Sequence, residues 1–285
     1  LLKEKNIPVI PVLNKIDIRE NSDHLATYIE EQCKISPLLI SAKEKIGIEL
    51  IRQAILEKLP SDFGQQNITG KLVAENDLVL LVMPQDIQAP KGRLILPQVQ
   101  TIRELLDKKC LVMTCTTDKF SATLQALARP PKLIITDSQV FKAIYEQKPK
   151  ESELTSFSVL FAGYKGDIHY YVESAAVIER LTESSRVLIA EACTHAPLSE
   201  DIGRVKLPRL LRKRIGENLQ IDMVAGTDFP QDLTPYSLVI HCGACMFNRK
   251  YVLSRIERAR EQHIPMTNYG VAIAFLNGIL DQIKY

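Results

Sequence analysis

Short aliphatic runs alternate with amphipathic segments along most of the chain, and this alternation constrains its fold more than any other feature. The runs at residues 78–83, 132–136, 186–190 and 237–240 consist mostly of Leu, Ile and Val. Such runs predict strands that are buried on both faces. Because helical segments separate them, the sequence predicts an α/β fold with mainly parallel sheets.

Polar stretches divide this pattern into three consecutive α/β units. We predict domains at residues 1–62, 63–160 and 161–285. In the second unit, residues 77–83 are predicted to form an apolar strand at a sheet edge, where it could extend a sheet across a two-fold axis. Residues 157–161 are predicted to form the first strand of the third unit.

Composition excludes several classes of protein. The chain is 46% hydrophobic and 25% charged with a net charge of +2, as in an ordinary globular protein. Its longest aliphatic run is far shorter than the ~20 residues of a membrane span, so no membrane association is expected. Six cysteines without a secretory leader predict a reducing, cytoplasmic setting. Because the chain does not begin with Met, we expect it to be a fragment.

Residues 204–214 carry six basic side chains and no acidic one. The simplest interpretation is a solvated helix face. The functional interpretation is a surface that attracts anions or docks a partner near a metal site. Nucleic-acid binding is not expected, because aromatic residues do not interleave the segment and the net charge is small.

Two short clusters of cysteine and histidine each follow a predicted buried strand. The first is Cys193-Thr194-His195, and the second contains His241, Cys242 and Cys245. Ligands of open α/β sheets collect beyond the carboxyl ends of the strands. If the two strands are neighbours, the three cysteines converge. Three thiolates at one point predict a metal site with an open position, which His195 or His241 could fill.

Several chemistries fit these clusters. A single cysteine is often a small core residue, and Cys242 with Cys245 could be a redox dithiol at the start of a helix. A structural zinc site with three cysteines and one histidine is the stronger rival. The chemistry of the residues alone leaves iron–sulfur and zinc equally open.

The start of the chain carries a pair of motifs typical of guanine recognition. N-K-x-D follows one predicted strand at residues 14–17, and S-A-K follows the next at residues 41–43. The Asp17 carboxylate would accept the N1 and N2 hydrogens of guanine, and the N–H of Ala42 would meet O6. The candidate guanine-binding residues are Asn14, Lys15, Asp17, Ser41, Ala42 and Lys43.

The phosphate-binding half of a GTPase is missing from this sequence. No G-x-x-x-x-G-K-[ST] occurs in it, so neither the phosphate cradle nor the Mg²⁺ ligand is present. We therefore expect this chain not to hydrolyse GTP and to bind nucleotide weakly.

Taken together, these motifs resemble the [FeFe]-hydrogenase maturation GTPases of the HydF family. The most specific likeness is the Cys-x-His cluster followed, after a long gap, by His-Cys-x-x-Cys. The resemblance implies a partial GTPase domain, a dimerisation domain and a cluster-binding domain, in that order. It also implies a [4Fe-4S] cluster bound through Cys193, Cys242 and Cys245, with GTP and Mg²⁺ used by the full-length parent.

The resemblance further implies a homodimer that acts as scaffold or carrier for the di-iron subcluster precursor of the hydrogenase. Its partners would be two radical-SAM maturases and apo-[FeFe]-hydrogenase. Two alternatives remain open: a regulatory GTPase with a structural zinc domain, and a dithiol redox protein that uses Cys242 and Cys245.

Overall fold

A computed structural model describes residues 8–59, 67–84, 94–192, 202–245 and 247–285. The chain forms two compact units that divide between residues 66 and 67. Both combine helices with parallel strands, so the predicted α/β class is confirmed. Within the described ranges, no helix has both the length and the hydrophobicity that crossing a bilayer requires.

Within residues 8–59, the first unit contains a two-stranded parallel sheet and two α-helices. Its strands are short, because only two residues of each pair in register. Neither helix has a fully buried residue. The elements are β1 (Val12–Leu13), α1 (Ser22–Cys33), β2 (Leu38–Leu39) and α2 (Ile48–Lys58).

The second unit begins with a four-stranded parallel sheet in the order β4-β3-β5-β6. Its strands are β3 (Leu78–Val82), β4 (Leu111–Cys115), β5 (Leu133–Thr136) and β6 (Glu153–Ser156). Its helices are α3 (Leu96–Asp107), α4 (Phe120–Ala126), α5 (Phe141–Gln147) and α6 (Phe157–Lys165).

The prediction that β3 lies at a sheet edge is wrong. This strand is central, because β4 and β5 pair with its two sides. A run of aliphatic residues buried on both faces is suited to the middle of a sheet. The exposed edge belongs instead to β4, where Leu111 and Met113 are half exposed.

The predicted strand at residues 157–161 is the first part of helix α6. The hydroxyl of Ser156 accepts a hydrogen bond from the Val159 N–H and caps this helix. Most of α6 is buried, so its apolar residues do not show the one-sided pattern of a surface helix. The strand lies just before it, as β6. The predicted boundary at residue 160 therefore falls inside α6.

A second four-stranded parallel sheet follows, in the order β10-β9-β7-β8. Its strands are β7 (Arg186–Ala190), β8 (Gln220–Val224), β9 (Leu238–His241) and β10 (Met266–Asn268). Its helices are α7 (Ile168–Ala175), α8 (Leu207–Ile215), α9 (Arg249–Glu261) and α10 (Tyr269–Leu276). The expected neighbours β7 and β9 are paired, with Ala190 opposite His241.

The two four-stranded sheets share one hydrophobic core. Helix α6 leaves the first sheet and packs against α9 and α10 of the second. At the contact with α10, the Ser158 hydroxyl donates to the Asn268 side chain at 3.0 Å and accepts from the Gly270 N–H at 3.1 Å. Helix α6 is therefore the element that brings side chains of the first sheet to the loops of the second.

Candidate metal centre at the carboxyl ends of two adjacent strands

Cys242 lies at the carboxyl end of β9, next to the end of β7. Its N–H donates to the Ala190 carbonyl at 3.0 Å, which continues the pairing of the two strands by one residue. Its Sγ accepts hydrogen bonds from the N–H groups of Ala192 at 3.0 Å and Ala244 at 3.4 Å. Two backbone donors aimed at one sulfur form a suitable setting for a thiolate.

Without a bound cation, the deprotonated form of Cys242 is disfavoured. Burial raises the pKa of Cys242 to about 11, although the N–H groups of Ala244 and Ala192 oppose this rise. The thiol is therefore protonated at neutral pH unless a cation replaces the proton. A metal ion or cluster is such a replacement, since it binds the deprotonated sulfur.

The loop after Cys242 turns sharply through Ala244. This residue has a φ of 48°, in the left-handed region, and it is buried. Such a conformation is costly for a residue with a Cβ. Tertiary contacts must therefore hold the loop in the shape that sets Cys245 close to Cys242.

Lys165 supplies the main contact that holds this loop. It is the last residue of α6, and its side chain is 8% exposed. Its Nζ donates to the carbonyls of Ala244, Cys245 and Phe247 at 2.9, 2.8 and 2.8 Å. All three donors of the ammonium group are thus used on the loop that carries the cysteines.

His241 is a support for the loop in this arrangement. Its Nε2 lies 2.8 Å from Arg255 Nη1. Because a guanidinium only donates, Nε2 accepts, and the ring proton sits on Nδ1. Nδ1 in turn donates to the Cys242 carbonyl at 2.7 Å. Both nitrogens are engaged here within the protein, and a role of His241 as a metal ligand stays a prediction.

The His241 ring is also neutral. Burial, reinforced by the positive charge of Arg255, lowers the pKa of His241 to about 4. The ring therefore carries no charge at neutral pH, and its polar atoms serve to connect Arg255 to the backbone of the cysteine loop.

The other half of the predicted site is the cluster that follows β7. Cys193 and His195 lie outside the described residues. Within the described ranges, no three side chains of the metal-binding types converge. Cys193 directly follows Ala192 in the sequence, and the Ala192 N–H donates to Cys242 Sγ.

Glu191 directly follows β7 and is buried. Arg204 donates to its carboxylate through two nitrogens, at 3.1 and 2.9 Å. Lys206 donates to the Gln139 side chain at 2.6 Å. The start of the basic segment 204–214 is therefore used inside the molecule rather than as a free docking surface.

Lys165 and Arg255 are site residues that the sequence analysis missed. Lys165 is the last residue of α6, whose other residues are mostly apolar, and Arg255 lies in the middle of the highly charged helix α9. Neither is near a cysteine in the sequence, and no motif includes them. Only the packing of α6 and α9 beneath the loop brings them to the site.

The remaining described cysteines lie elsewhere. Cys110 directly precedes β4, and Cys115 is the last residue of that strand. The two pack against different hydrophobic clusters. Cys33 is exposed in the first unit. Burial raises the pKa of the Cys110 and Cys115 thiols. These residues fit the interpretation as small core or surface residues.

The two guanine-type motifs meet within the first unit. The Asn14 Oδ1 accepts from the Lys15 and Ala42 N–H groups at 2.8 and 3.0 Å. The Ser41 hydroxyl donates to Asp17 at 2.6 Å, and this hydrogen bond lowers the pKa of Asp17. Lys15 has a left-handed backbone with φ of 69°.

The Ala42 N–H, which is predicted to meet O6 of guanine, bonds to the Asn14 side chain in this arrangement, and its contact with guanine stays a prediction. Lys15 and Lys43 are exposed. The lowered pKa keeps the Asp17 carboxylate ionised. The ionised form is the one that can accept hydrogen bonds from both N–H groups of guanine.

Comparison with known proteins identifies the family. Residues 68–166 match the hydrogen maturase F dimerization domain, and residues 169–284 match the hydrogen maturase F tetramerization domain. The chain belongs to the hydrogen maturase F family. It thus carries the oligomerisation domains of a hydrogenase maturation protein.

Part of the chain is also similar to curated proteins named Elongation factor 4. The one from Hydrogenobaculum sp. (strain Y04AAS1) is 40% identical over 68 residues, covering 22% of this chain and 11% of that protein. The one from Aquifex aeolicus is 42% identical over 65 residues, covering 21% and 11%. The one from Thermotoga maritima is 37% identical over 75 residues, covering 25% and 12%. The chain spans about a tenth of the length of these relatives.

Proposed function

We propose that this chain binds a [4Fe-4S] cluster through Cys193, Cys242 and Cys245. The observation that carries the proposal is the setting of Cys242: a buried sulfur at the ends of β7 and β9 that accepts two backbone hydrogen bonds. The membership of the hydrogen maturase F family supports iron–sulfur over the structural zinc alternative.

The protein's own residues would hold the group rather than react with it. Cys242 and Cys245 would ligate, Ala192 and Ala244 would donate to the sulfur, and Lys165 would fix the loop. When bound, the cluster supplies an iron that three cysteines leave without a thiolate. Since the nitrogens of His241 are engaged, the exchangeable position would be open to an external ligand.

The biological role that follows is that of a scaffold or carrier. The chain would accept the di-iron subcluster precursor from radical-SAM maturases and deliver it to apo-[FeFe]-hydrogenase. It would act as a homodimer in the cytoplasm. GTP and Mg²⁺ would serve the full-length parent, in which Asn14, Asp17 and the S-A-K motif would read the base.

We also infer that the dimer forms along the edge of β4. The half-exposed Leu111 and Met113 lie on this strand, which ends the first sheet. The opposite edge, β6, is contacted by the chain terminus, since the Lys284 N–H donates to the Leu154 carbonyl at 2.9 Å. An apolar edge strand is suited to pairing with a second copy across a two-fold axis.

Anaerobic reconstitution with iron and sulfide tests the central proposal. We expect a brown protein with about four iron and four sulfide ions per chain. Its EPR spectrum in the reduced state should change when imidazole or cyanide is added, because one iron site is exchangeable. A colourless protein that retains stoichiometric zinc would support the structural zinc alternative. A reversible Cys242–Cys245 disulfide without metal would support a dithiol redox protein.

A further inference from the structure

We infer that Lys165 and Arg255 are positioning residues that place two buried positive charges beside the cysteine loop and thereby raise the reduction potential of the cluster. This inference rests on the proposed function, because it concerns the charge of the bound cluster. It assigns a role to two residues that lie outside every motif of the chain.

Lys165 reaches the loop from the first sheet's side. Its ammonium donates to three carbonyls of the loop, those of Ala244, Cys245 and Phe247. Its Nζ also lies 5.6 Å from the centre of the Phe161 ring. The charge is thus surrounded by protein and held next to the backbone of Cys245.

Arg255 reaches the same loop from α9. The guanidinium is 2% exposed and lies 4.6 Å from the ring centre of Phe229 and 4.8 Å from that of Tyr251. It donates to the His241 Nε2 and to the Gly226 carbonyl. Through His241 it is connected to the Cys242 backbone, so its position relative to the cysteine loop is fixed.

Neither cation has an acidic partner in the part of the chain that the structure describes. All ion pairs found there join other residues, and Glu191, the buried acid that follows β7, is paired with Arg204. The Nε of Arg255 is buried and makes no hydrogen bond within the described residues. Two buried, unbalanced charges at one place are expensive.

The cluster is the counter-charge that this arrangement fits. Three thiolates outweigh the positive charge of an oxidised [4Fe-4S] core, so the bound group is negative overall. When dithionite gives it one electron, the additional negative charge stays on the cluster. Nearby buried cations interact more strongly with the reduced state than with the oxidised state, because the low dielectric screens them weakly. They therefore favour reduction.

The decisive experiment is an EPR-monitored redox titration of the reconstituted full chain. In Lys165→Met, we expect the equilibrium constant for reduction to fall at least tenfold, which is a shift of about 59 mV to lower potential for one electron. Lys165→Arg should restore most of the potential, because it keeps the charge. Arg255→Gln, which retains a donor for His241 but removes the charge, should also lower the potential.

Lys148→Met is the matched control. Lys148 directly follows α5 of the first sheet, and its Nζ donates to the carbonyls of Pro149 and Ser152 at 3.2 and 2.7 Å. It holds a loop in the same manner, but the cysteines are on another loop. Its loss should leave the potential unchanged.

The outcomes separate this inference from the proposed function. If the unmodified chain binds no cluster, the proposed function fails first. If it binds one, and both charge-removing variants titrate at the unmodified potential, the inference is wrong while the function stands. Should Lys165→Met not fold, as judged by circular dichroism of the metal-free protein, Arg255→Gln alone decides between these results.

Discussion

The two four-stranded sheets of residues 67–285 have the same strand order but different chemistry. In each sheet the first strand lies between the second and the third, so that β3 separates β4 from β5 and β7 separates β8 from β9. The point between the first and third strands is where parallel α/β sheets usually bind ligands. Both sheets have this point, and the candidate metal ligands that the structure describes, His241, Cys242 and Cys245, lie at the second.

The difference arises in the residues that follow the third strand. After β5, Asp137 leads at once into a 3-10 helix at Ser138–Val140, and the hydroxyl of Ser138 pairs with that of Ser156 at 2.9 Å. After β9, a loop that includes both cysteines and the left-handed Ala244 precedes α9. Topology thus provides a place for a ligand, and a few loop residues decide whether it becomes a metal site.

The largest expected effect tests whether the thiols of the two sheets differ. Cys242→Ala and Cys245→Ala should each retain at least about tenfold less iron than the unmodified chain in the presence of a competing chelator, since each would remove a direct ligand. Cys110→Ala and Cys115→Ala are the matched controls in the first sheet and should retain normal iron. If Cys110→Ala or Cys115→Ala lost iron and Cys242→Ala retained it, the metal site would belong to the first sheet instead of the second.

The next effect concerns the edges of the two sheets. Met113→Lys places a charge on the apolar edge of β4 and should weaken the dimer by about 2–3 kcal/mol, or roughly a hundredfold in the dissociation constant. Analytical ultracentrifugation measures this change.

Met223→Lys is the corresponding change on β8, the open edge of the second sheet, where Met223 is 36% exposed. It should leave the dimer intact, because β8 belongs to the domain associated with tetramers. Dissociation by Met223→Lys but not by Met113→Lys would show that the dimer uses the second sheet.

A third effect concerns the contact that joins the sheets. A Cβ at Gly270 would lie 2.8 Å from the Ser158 Cβ and 3.0 Å from the Ser138 Oγ. Gly270→Ala should therefore lower the free energy of unfolding by about 1–3 kcal/mol. Gly163→Ala on α6 is the control, because its Cβ would meet only Ile168 at 3.8 Å. Denaturant titration of both metal-free variants measures the difference, and equal stabilities would mean that α6 and α10 can move apart freely.

The smallest effect compares two helix caps, one on each side of the boundary between the sheets. Ser156 caps α6, and Asp167 caps α7 by accepting from the Tyr170 N–H at 3.1 Å. Burial opposes ionisation of Asp167, but this N–H, Arg260 and His169 outweigh it and hold the pKa of Asp167 below its ordinary value. The ionised form therefore stabilises the fold above the ordinary pKa, and this contribution is lost as the pH falls through the lowered pKa.

Asp167→Asn should accordingly be less stable by about 0.5–1 kcal/mol at neutral pH and no less stable in acid below the lowered pKa. Ser156→Ala should lose about 1 kcal/mol at every pH, because a hydroxyl does not titrate in this range. Urea unfolding as a function of pH measures both. If the stability loss of Asp167→Asn were the same in acid as at neutral pH, the charge of Asp167 would not be what stabilises the fold.

Most strands could be predicted because the signal is local. Aliphatic runs at β3, β5, β7 and β9 are long enough to be read without knowledge of their neighbours, and all four are buried strands. The failure at α6 has the same origin, since a short apolar run is equally compatible with a buried helix. The cap at Ser156 is the local feature that distinguishes the two, and a serine before an apolar run is too common to decide alone.

The sequence by itself determined the parallel α/β class, the pairing of a cysteine cluster with each of two strands, and the guanine-type motifs. These depend on residues close together in the chain, where spacing and hydrophobicity are sufficient. Only the tertiary structure decided that β3 is central, that Lys165 and Arg255 lie beneath the cysteine loop, and that both nitrogens of His241 are engaged. Each of these depends on contacts between elements far apart in sequence, and such contacts form only when the two sheets bury their shared core.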